Sequence, residues 1–224
     1  MSRVWWLWIP LLFTGIQVFL EIFVPGEVLS RMLSENGPHE LLQFIIITAA
    51  FFVALLTLVQ MDRTAHKWLT AWVGLAAVCC FYVAGEEVSW GQHFLDWTTP
   101  QFWSAVNDQQ ETNLHNTSSW LDQKPRLILL IGVITGGLVI PLLRRFRPLW
   151  LPQRFEVLYP PPQLAVIALI ALMLKLVDSV ADLTDIRLME RGSEVEELFL
   201  YYFVHFLILW PVYYFRLRLH SKCC

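Results

Sequence analysis

The chain has 224 residues, of which 56% are hydrophobic and 16% are charged. A water-soluble domain carries about 25% charged residues and could not hide this much apolar surface from water. The net charge of −3 gives no basic footprint, so we expect no nucleic-acid partner. The composition indicates a protein whose apolar side chains face a lipid bilayer.

Six segments are long enough to cross the bilayer, because a helix needs about 20 residues to span ~30 Å of hydrocarbon. Breakers such as Pro25-Gly26 and Gly37-Pro38 lie between the segments. The apolar run after Arg3 is too long for a signal peptide and is interpreted as a retained helix. We predict one all-α domain over residues 1–224, a polytopic transmembrane helix bundle with spans at approximately 4–24, 39–60, 68–84, 127–143, 164–180 and 198–215.

The Lys and Arg residues outside the spans predict the orientation of the bundle. Ten of them fall on the side that holds both termini and five on the opposite side. We therefore expect both termini in the cytoplasm and the long loop 85–125 outside. The loop contains several Phe and Trp residues, which favours packing on the bundle or lying in the membrane interface.

Two adjacent acids follow the third apolar segment, in the stretch Gly85-Glu86-Glu87-Val88-Ser89-Trp90-Gly91-Gln92-His93. If this stretch is helical, Glu86, Ser89 and His93 share one face. Such a face is suited to a metal ion or to acid–base chemistry. The alternative is a helix end whose acids are solvated.

A second motif, Glu111-Thr112-Asn113-Leu114-His115-Asn116, lies later in the same loop. On a helix, Glu111 and His115 would lie one above the other, where they could share a metal or Glu111 could orient His115 as a base. The alternative is an ordinary surface pair. Because single carboxylates are costly to desolvate, we predict that Glu87, Glu111 and His115 converge. An oxygen of Glu87, or of Glu86 if the helix is rotated, should lie within ~5 Å of the Glu111 or His115 side chain.

The fifth segment ends with ionisable residues at helical spacing. Asp178, Asp182 and Asp185 form one stripe, and Lys175 is placed one turn deeper to pair with Asp178. Ionisable residues in a span usually face a bundle interior or a cavity. The stripe is either part of a metal site or an ion pair that orients the helix.

The sixth segment has a similar stripe, formed by Glu194, Glu197, Tyr201 and His205. His205 lies deep in the span, so it is either hydrogen-bonded in the core or a ligand or proton carrier. In the fourth segment, Gly132 and Gly136 form a face that allows close helix approach. We expect this face to pack against another helix, with a homo-oligomer or a complex partner as candidates.

The stretch from Glu86 to Asn116 resembles a group of uncharacterised multi-pass bacterial membrane proteins. The shared pattern is Glu-Glu-x-Ser-Trp-Gly-Gln, an aromatic segment ending near Pro100, and Glu-x-Asn-Leu-His-Asn. The resemblance implies a bacterial inner (cytoplasmic) membrane and brings no established activity. A distant analogy, carried by Glu111 with Asn113 and Asn116, is to the membrane hydrolases that include the alkaline ceramidases. Their paired C-terminal His-x-x-x-His is missing here.

The motifs together favour an enzyme with a metal-assisted site at the outer membrane face, acting on a lipid or lipid-linked substrate. Its candidate catalytic residues are Glu87, Glu111 and His115. The ligands would suit zinc, iron or manganese, which could activate water or polarise a carbonyl or phosphoryl oxygen. The competing interpretation is a non-enzymatic proton or cation pathway, or a subunit of a larger membrane complex. The candidate metal ligands are Glu86, His93, Asp178, Asp182, Glu197 and His205.

Overall fold

The computed structural model describes residues 1–34, 37–61, 67–107, 109–184 and 189–221, with the backbone alone at 119, 122, 182 and 213–221. These residues form helices joined by turns and contain no strand, which confirms the all-α fold. Six helices are long and apolar enough to cross a membrane, so the chain is an integral membrane protein that contacts a lipid bilayer. In chain order the six spans are Val4–Phe23, Pro38–Gln60, Lys67–Glu87, Gln123–Phe146, Pro162–Ala181 and Gly192–Val212.

Three of the spans are built from several helical segments, and the fifth span joins the short helix Pro162–Leu164 to Ala165–Thr184. The first begins with a π-helical turn, Val4–Trp8, and continues as the α-helix Ile9–Phe23. The fourth comprises Ser119–Ile134, a π-helical turn at Thr135–Val139, and Ile140–Phe146. The other long helices are Pro38–Gln60, Lys67–Glu87, Ala165–Thr184 and Gly192–Ser221. Short helices connect the spans at Gly26–Met32, Ser89–Gly91, Gln92–Leu95, Gln101–Val106, His115–Thr117, Pro148–Trp150 and Gln153–Leu158.

Three span boundaries next to the loop and the cavity differ from the sequence prediction. The third helix continues through Glu87, the fourth begins at Ser119, and the sixth begins at Gly192. The predicted loop 85–125 is therefore shorter at both ends. Hydropathy finds only the apolar part of a helix. The polar end of the third helix and the polar start of the sixth stay helical because side chains such as Glu86 and Glu197 bind partners inside the protein.

The sixth span is the centre of the bundle. It packs on the second, fourth and fifth spans, while the third span packs on the second. Its most apolar stretch is 61% buried, against 11% for the first span. Phe199, Leu200, Phe203 and Ile208 supply fully buried side chains to this core. Lipid is as apolar as these residues, so close packing rather than transfer from water favours this arrangement.

The glycine face of the fourth span is used mainly within the chain. A Cβ at Gly137 would overlap the Cβ of Ala168, and a Cβ at Gly136 would lie 3.3 Å from the Phe203 ring. A Cβ at Gly132 would meet no atom within 4 Å. The predicted close helix approach is therefore made to the fifth and sixth spans. Gly136 is buried inside the bundle, so the predicted partner face at Gly132 and Gly136 is reduced to Gly132.

Candidate functional site

Glu86, in the last turn of the third span, ties the following loop to the helix end. Its Oε2 accepts hydrogen bonds from the backbone N–H groups of Leu114 (2.7 Å) and His115 (2.9 Å). Its Oε1 accepts one from the indole N–H of Trp90 (2.8 Å). Oε2 also lies 3.5 Å from Nδ1 of His115. The predicted approach within ~5 Å is made by the alternative acid, Glu86, to His115. The expected convergence of Glu87, Glu111 and His115 is not found, because Glu87 binds Tyr201 whereas Glu111 binds Ser89 and Asn113.

The chain turns sharply after this helix. Ser89, Trp90 and Gly91 have φ angles of 45°, 56° and 101°, a region that non-glycine residues rarely adopt. The predicted helical face shared by Glu86, Ser89 and His93 is therefore wrong. The turn folds the Trp90 ring back over Gly85, where a Cβ would lie 2.8 Å from the ring. Only glycine at position 85 leaves room for this ring.

A buried hydrogen-bond network joins the two loop motifs. Glu111 Oε2 accepts from the Ser89 hydroxyl (2.6 Å) and from the Asn113 amide (2.8 Å). Its Oε1 lies 2.8 Å from Nε2 of His93. The Asn107 amide donates to Oδ1 of Asn113 (2.8 Å), and the Asn113 amide also donates to Ser89 (2.9 Å). The two motifs thus form one folded unit rather than a solvated connector.

The second motif is not a helix through Glu111 and His115. Gln110 has a φ of 58°, and the only helical turn in the motif begins at His115. The prediction that these two residues stack one turn apart is therefore wrong. Each has a partner in the first motif instead, His93 for Glu111 and Glu86 for His115. The pairing runs between the motifs because the turn at Ser89–Gly91 brings them side by side.

Glu87 faces the opposite way, towards the sixth span. Its Oε1 accepts a hydrogen bond from the Tyr201 hydroxyl (2.8 Å), and the residue is only 8% exposed. Within the described part of the chain, its Oε2 accepts no hydrogen bond. Nearby, Nε of Arg126 donates to Oε1 of Glu197 (2.7 Å), and both of these side chains are largely buried. Glu87, Arg126, Glu197 and Tyr201 all line one cavity.

This cavity has a volume of about 750 Å³ and two unlike ends. Its charged side chains come from four helices and the loop and lie near the helix ends at one membrane boundary. The apolar residues Val78, Ile128 and Leu129 lie deeper in the third and fourth spans. Glu111, His93, Asp178 and His205 are not among the lining residues. The polar end contains Glu40, Tyr82, Glu86, Glu87, His115, Arg126, Arg191, Glu194, Glu197 and Tyr201, and the apolar end Val78, Val83, Leu121, Pro125, Ile128 and Leu129.

Asp178 and His205 do not line the cavity. Asp178 Oδ2 lies 3.5 Å from Nζ of Lys175, which confirms the predicted pair. His205 packs edge-on against Phe206, with ring centroids 5.3 Å apart. The side chain of Asp182, like all of Asp185, lies outside the described residues.

No described group of three or more His, Cys, Asp and Glu residues could hold a metal ion. The proposed ligand set Glu86, His93, Asp178, Glu197 and His205 is divided among separate places in the fold. Glu86 and Glu197 line the cavity, His93 belongs to the loop network, and Asp178 pairs with Lys175. The described ligands therefore do not fit a single metal centre.

Arg126 and Glu40 are site residues that sequence reasoning missed. The sequence prediction used Arg126 only as one of the charges that set the orientation. It treated Glu40 as part of the second apolar segment. The sequence did contain a usable signal for Arg126. Arg126 and Glu197 each lie just before a predicted span, and both spans begin at the same membrane boundary. Opposite charges that share such a boundary are expected to pair, as Arg126 and Glu197 do.

No family model, curated protein or solved structure matches the chain. The cavity and its lining residues are therefore the basis for inferring a function. Three features matter most: a largely buried carboxylate with one oxygen that accepts no hydrogen bond, a neighbouring ion pair, and exposed apolar lining residues such as Val78 and Ile128.

Proposed function

We propose that the protein is a membrane-embedded enzyme that acts on the polar head of a lipid or lipid-linked substrate. The observation that carries the proposal is the cavity itself, with its carboxylates, phenol and guanidinium groups at one end and apolar side chains at the other. Ligand sites are typically clefts of about 300–1,000 Å³ with mostly apolar walls and a few convergent polar groups. The volume of the cavity lies in this range, and its lining combines apolar side chains with convergent polar groups.

Acid–base chemistry is the reaction class that these side chains support best. Glu87 Oε2 is available to take a proton from water or from a substrate hydroxyl. The Tyr201 hydroxyl, bound to the other oxygen, fixes the orientation of the carboxylate. Arg126 supplies positive charge at the same end, where it would stabilise negative charge that develops on a substrate oxygen. His115 also lines the cavity, whereas Glu111 serves the loop network.

The wider setting of the proposal follows from the sequence. The loop motifs would place the protein with the bacterial membrane proteins they resemble, in an inner membrane with both termini cytoplasmic. The polar end of the cavity would then face the outer boundary. A zinc, iron or manganese centre would need ligands that the described residues do not bring together, so we propose the acid–base form of the reaction.

Turnover of a bacterial lipid extract by the purified protein tests this proposal. Products would be identified by mass spectrometry, with wild type, Glu87→Gln and Glu27→Gln compared. Glu27 is an exposed acid in the short helix after the first span and is the matched control. We expect Glu87→Gln to lower the rate by about 10²-fold or more, the usual contribution of a general base. Absence of any product, or equal rates for wild type and Glu87→Gln, would contradict the proposal.

A specific observation favours a proton or cation pathway as the second candidate. Glu196 in the sixth span is 1% exposed, and within the described chain neither of its carboxylate oxygens has a hydrogen-bond partner. Its Oε2 lies 3.9 Å from Nζ of Lys175. Buried ionisable residues in a span often mark ion or proton routes. Proton or cation flux into liposomes that is lost in Glu196→Gln would support this candidate, and flux equal to that of empty liposomes would rule against it.

A further inference from the structure

The cavity reaches the lipid-facing surface of the bundle. Val78 in the third span and Ile128 in the fourth both line it. Both side chains are also largely exposed, at 66% and 70%. On a membrane-spanning helix, an exposed apolar side chain contacts lipid. The apolar end of the cavity is therefore a side opening into the bilayer between these two spans.

The packing of the bundle explains why an opening lies here. The third span packs on the second, and the fourth packs on the fifth and sixth. In the described part of the chain, the third and fourth spans make no extensive contact with each other. Pro125, on the fourth helix beside the opening, has no N–H and cannot donate to the carbonyl of Leu121, which also lines the cavity.

Acidic side chains outnumber basic ones at the polar end. Five Glu residues line the cavity against two Arg residues and one His. The cationic groups already have partners: Arg126 binds Glu197, His115 lies beside Glu86, and Arg191 donates to the carbonyl of Leu33 (2.8 Å). Glu87 is more than nine-tenths buried, lines the cavity and keeps one oxygen unengaged. A cationic group bound in the cavity would pair with this oxygen.

We infer that the cavity takes an amphiphile with an apolar chain and a protonated amine in its head group. The chain lies in the opening between Val78 and Ile128, and the amine binds Glu87. The inference rests on the proposed function and names its substrate class. The inference also accounts for the mixed lining of the cavity. A soluble cation would leave the apolar residues without a contact, and an uncharged lipid would leave Glu87 without a cationic partner.

Binding of a long-chain primary alkylamine to the protein in phosphatidylcholine nanodiscs tests the inference. The probes for comparison are the alcohol and the carboxylate of equal chain length. Thermal unfolding would be followed as each probe is added, because a ligand that binds only the folded protein raises the unfolding temperature. Val78→Trp narrows the opening, and Leu75→Trp is its control, since Leu75 lies on the same helix, is 64% exposed and does not line the cavity.

We expect the alkylamine to stabilise wild type more than the alcohol or the carboxylate does. Its half-saturating mole fraction should rise by about tenfold or more, equivalent to 1.4 kcal/mol, in Val78→Trp and in Glu87→Gln. Leu75→Trp and Glu27→Gln should behave like wild type. Equal responses to the three probes, or an unchanged response in Val78→Trp, would overturn the inference.

Failure of this inference is distinguishable from failure of the proposed function. Binding requires no turnover, so selective amine binding without any lipid product contradicts only the enzyme. Conversely, a product that depends on Glu87, formed by a protein with no preference for the amine, contradicts only the substrate class.

Discussion

Asn113 holds the two loop motifs together at the scale of a single residue. Its amide donates to Ser89 and Glu111, its side-chain oxygen accepts from Asn107, and the residue is almost fully buried. We expect Asn113→Ala to lower the free energy of unfolding by about 2–3 kcal/mol, because it leaves several buried polar groups without partners. Unfolding in detergent micelles measures this change.

Ser104→Ala is the matched control for that variant. Ser104 lies in the same loop, is exposed, and makes one local hydrogen bond to the carbonyl of Gln101. Its removal should change the free energy of unfolding by less than about 0.5 kcal/mol. Equal losses in Asn113→Ala and Ser104→Ala would show that the network does not stabilise the loop.

Sequence reasoning reached part of this site, and its errors have a physical origin. It placed the acids at the end of the third span near the second motif, as Glu86 and His115 show. It favoured Glu87 over Glu86, because the rotation of a helix end cannot be read from spacing alone. It also extended a helix through Ser89, where left-handed backbone turns the chain. Such a turn at a non-glycine residue is stabilised by tertiary contacts, which local sequence does not reveal.

At the scale of helices, Gly137 marks the closest approach in the bundle. A methyl group there would overlap Ala168 and lie 2.9 Å from the Phe203 ring. We expect Gly137→Ala to lower the free energy of unfolding by about 1–3 kcal/mol, the usual cost of overpacking. Gly132→Ala, on the same span but facing open space, should be neutral or stabilising, since Ala favours a helix over Gly by up to about 1 kcal/mol. A Gly132→Ala variant less stable than Gly137→Ala would mean that the fourth span packs through another face.

The fifth and sixth spans are linked by Lys175 and Glu196. Replacing the cation in Lys175→Met leaves the buried Glu196 carboxylate without its nearest positive charge. We expect a loss of about 1 kcal/mol, modest because Lys175 is 36% exposed and partly screened by its surroundings. The double variant Lys175→Met with Glu196→Gln should recover that loss. Additive losses in the single and double variants would show that the two side chains do not interact.

The existence of the six spans could be predicted from sequence, whereas their ends could not. Hydropathy is a sum over about 20 residues, so the apolar runs stand out clearly. The first turn of the sixth helix is rich in carboxylates and looks like a loop. It is helical because partners elsewhere in the bundle, such as Arg126 for Glu197 and Gln43 for the carbonyl of Glu194, compensate its polar groups.

At the scale of the whole molecule, the predicted orientation in the membrane can be tested with reporter fusions. Reporter fusions after Gln60, after Leu143 and at the C-terminus should be active in the cytoplasm, and a fusion near Asn107 should be active outside. The reason is the excess of Lys and Arg on the side of the termini. The reverse pattern would place the cavity's polar end at the cytoplasmic boundary.

If the cavity both admits a lipid from the bilayer and is the site of its reaction, narrowing the opening of the cavity should slow turnover. The most direct measurement is the turnover rate on bilayer lipid in nanodiscs for Val78→Trp relative to Leu75→Trp. Both variants add the same ring to the same exposed side of the third span, but only Val78 lines the cavity. We predict a rate at least about tenfold lower for Val78→Trp, corresponding to 1.4 kcal/mol in the barrier, with Leu75→Trp near wild type. Equal rates for the two variants would contradict the account, because the substrate would then reach its reaction site without passing between the third and fourth spans.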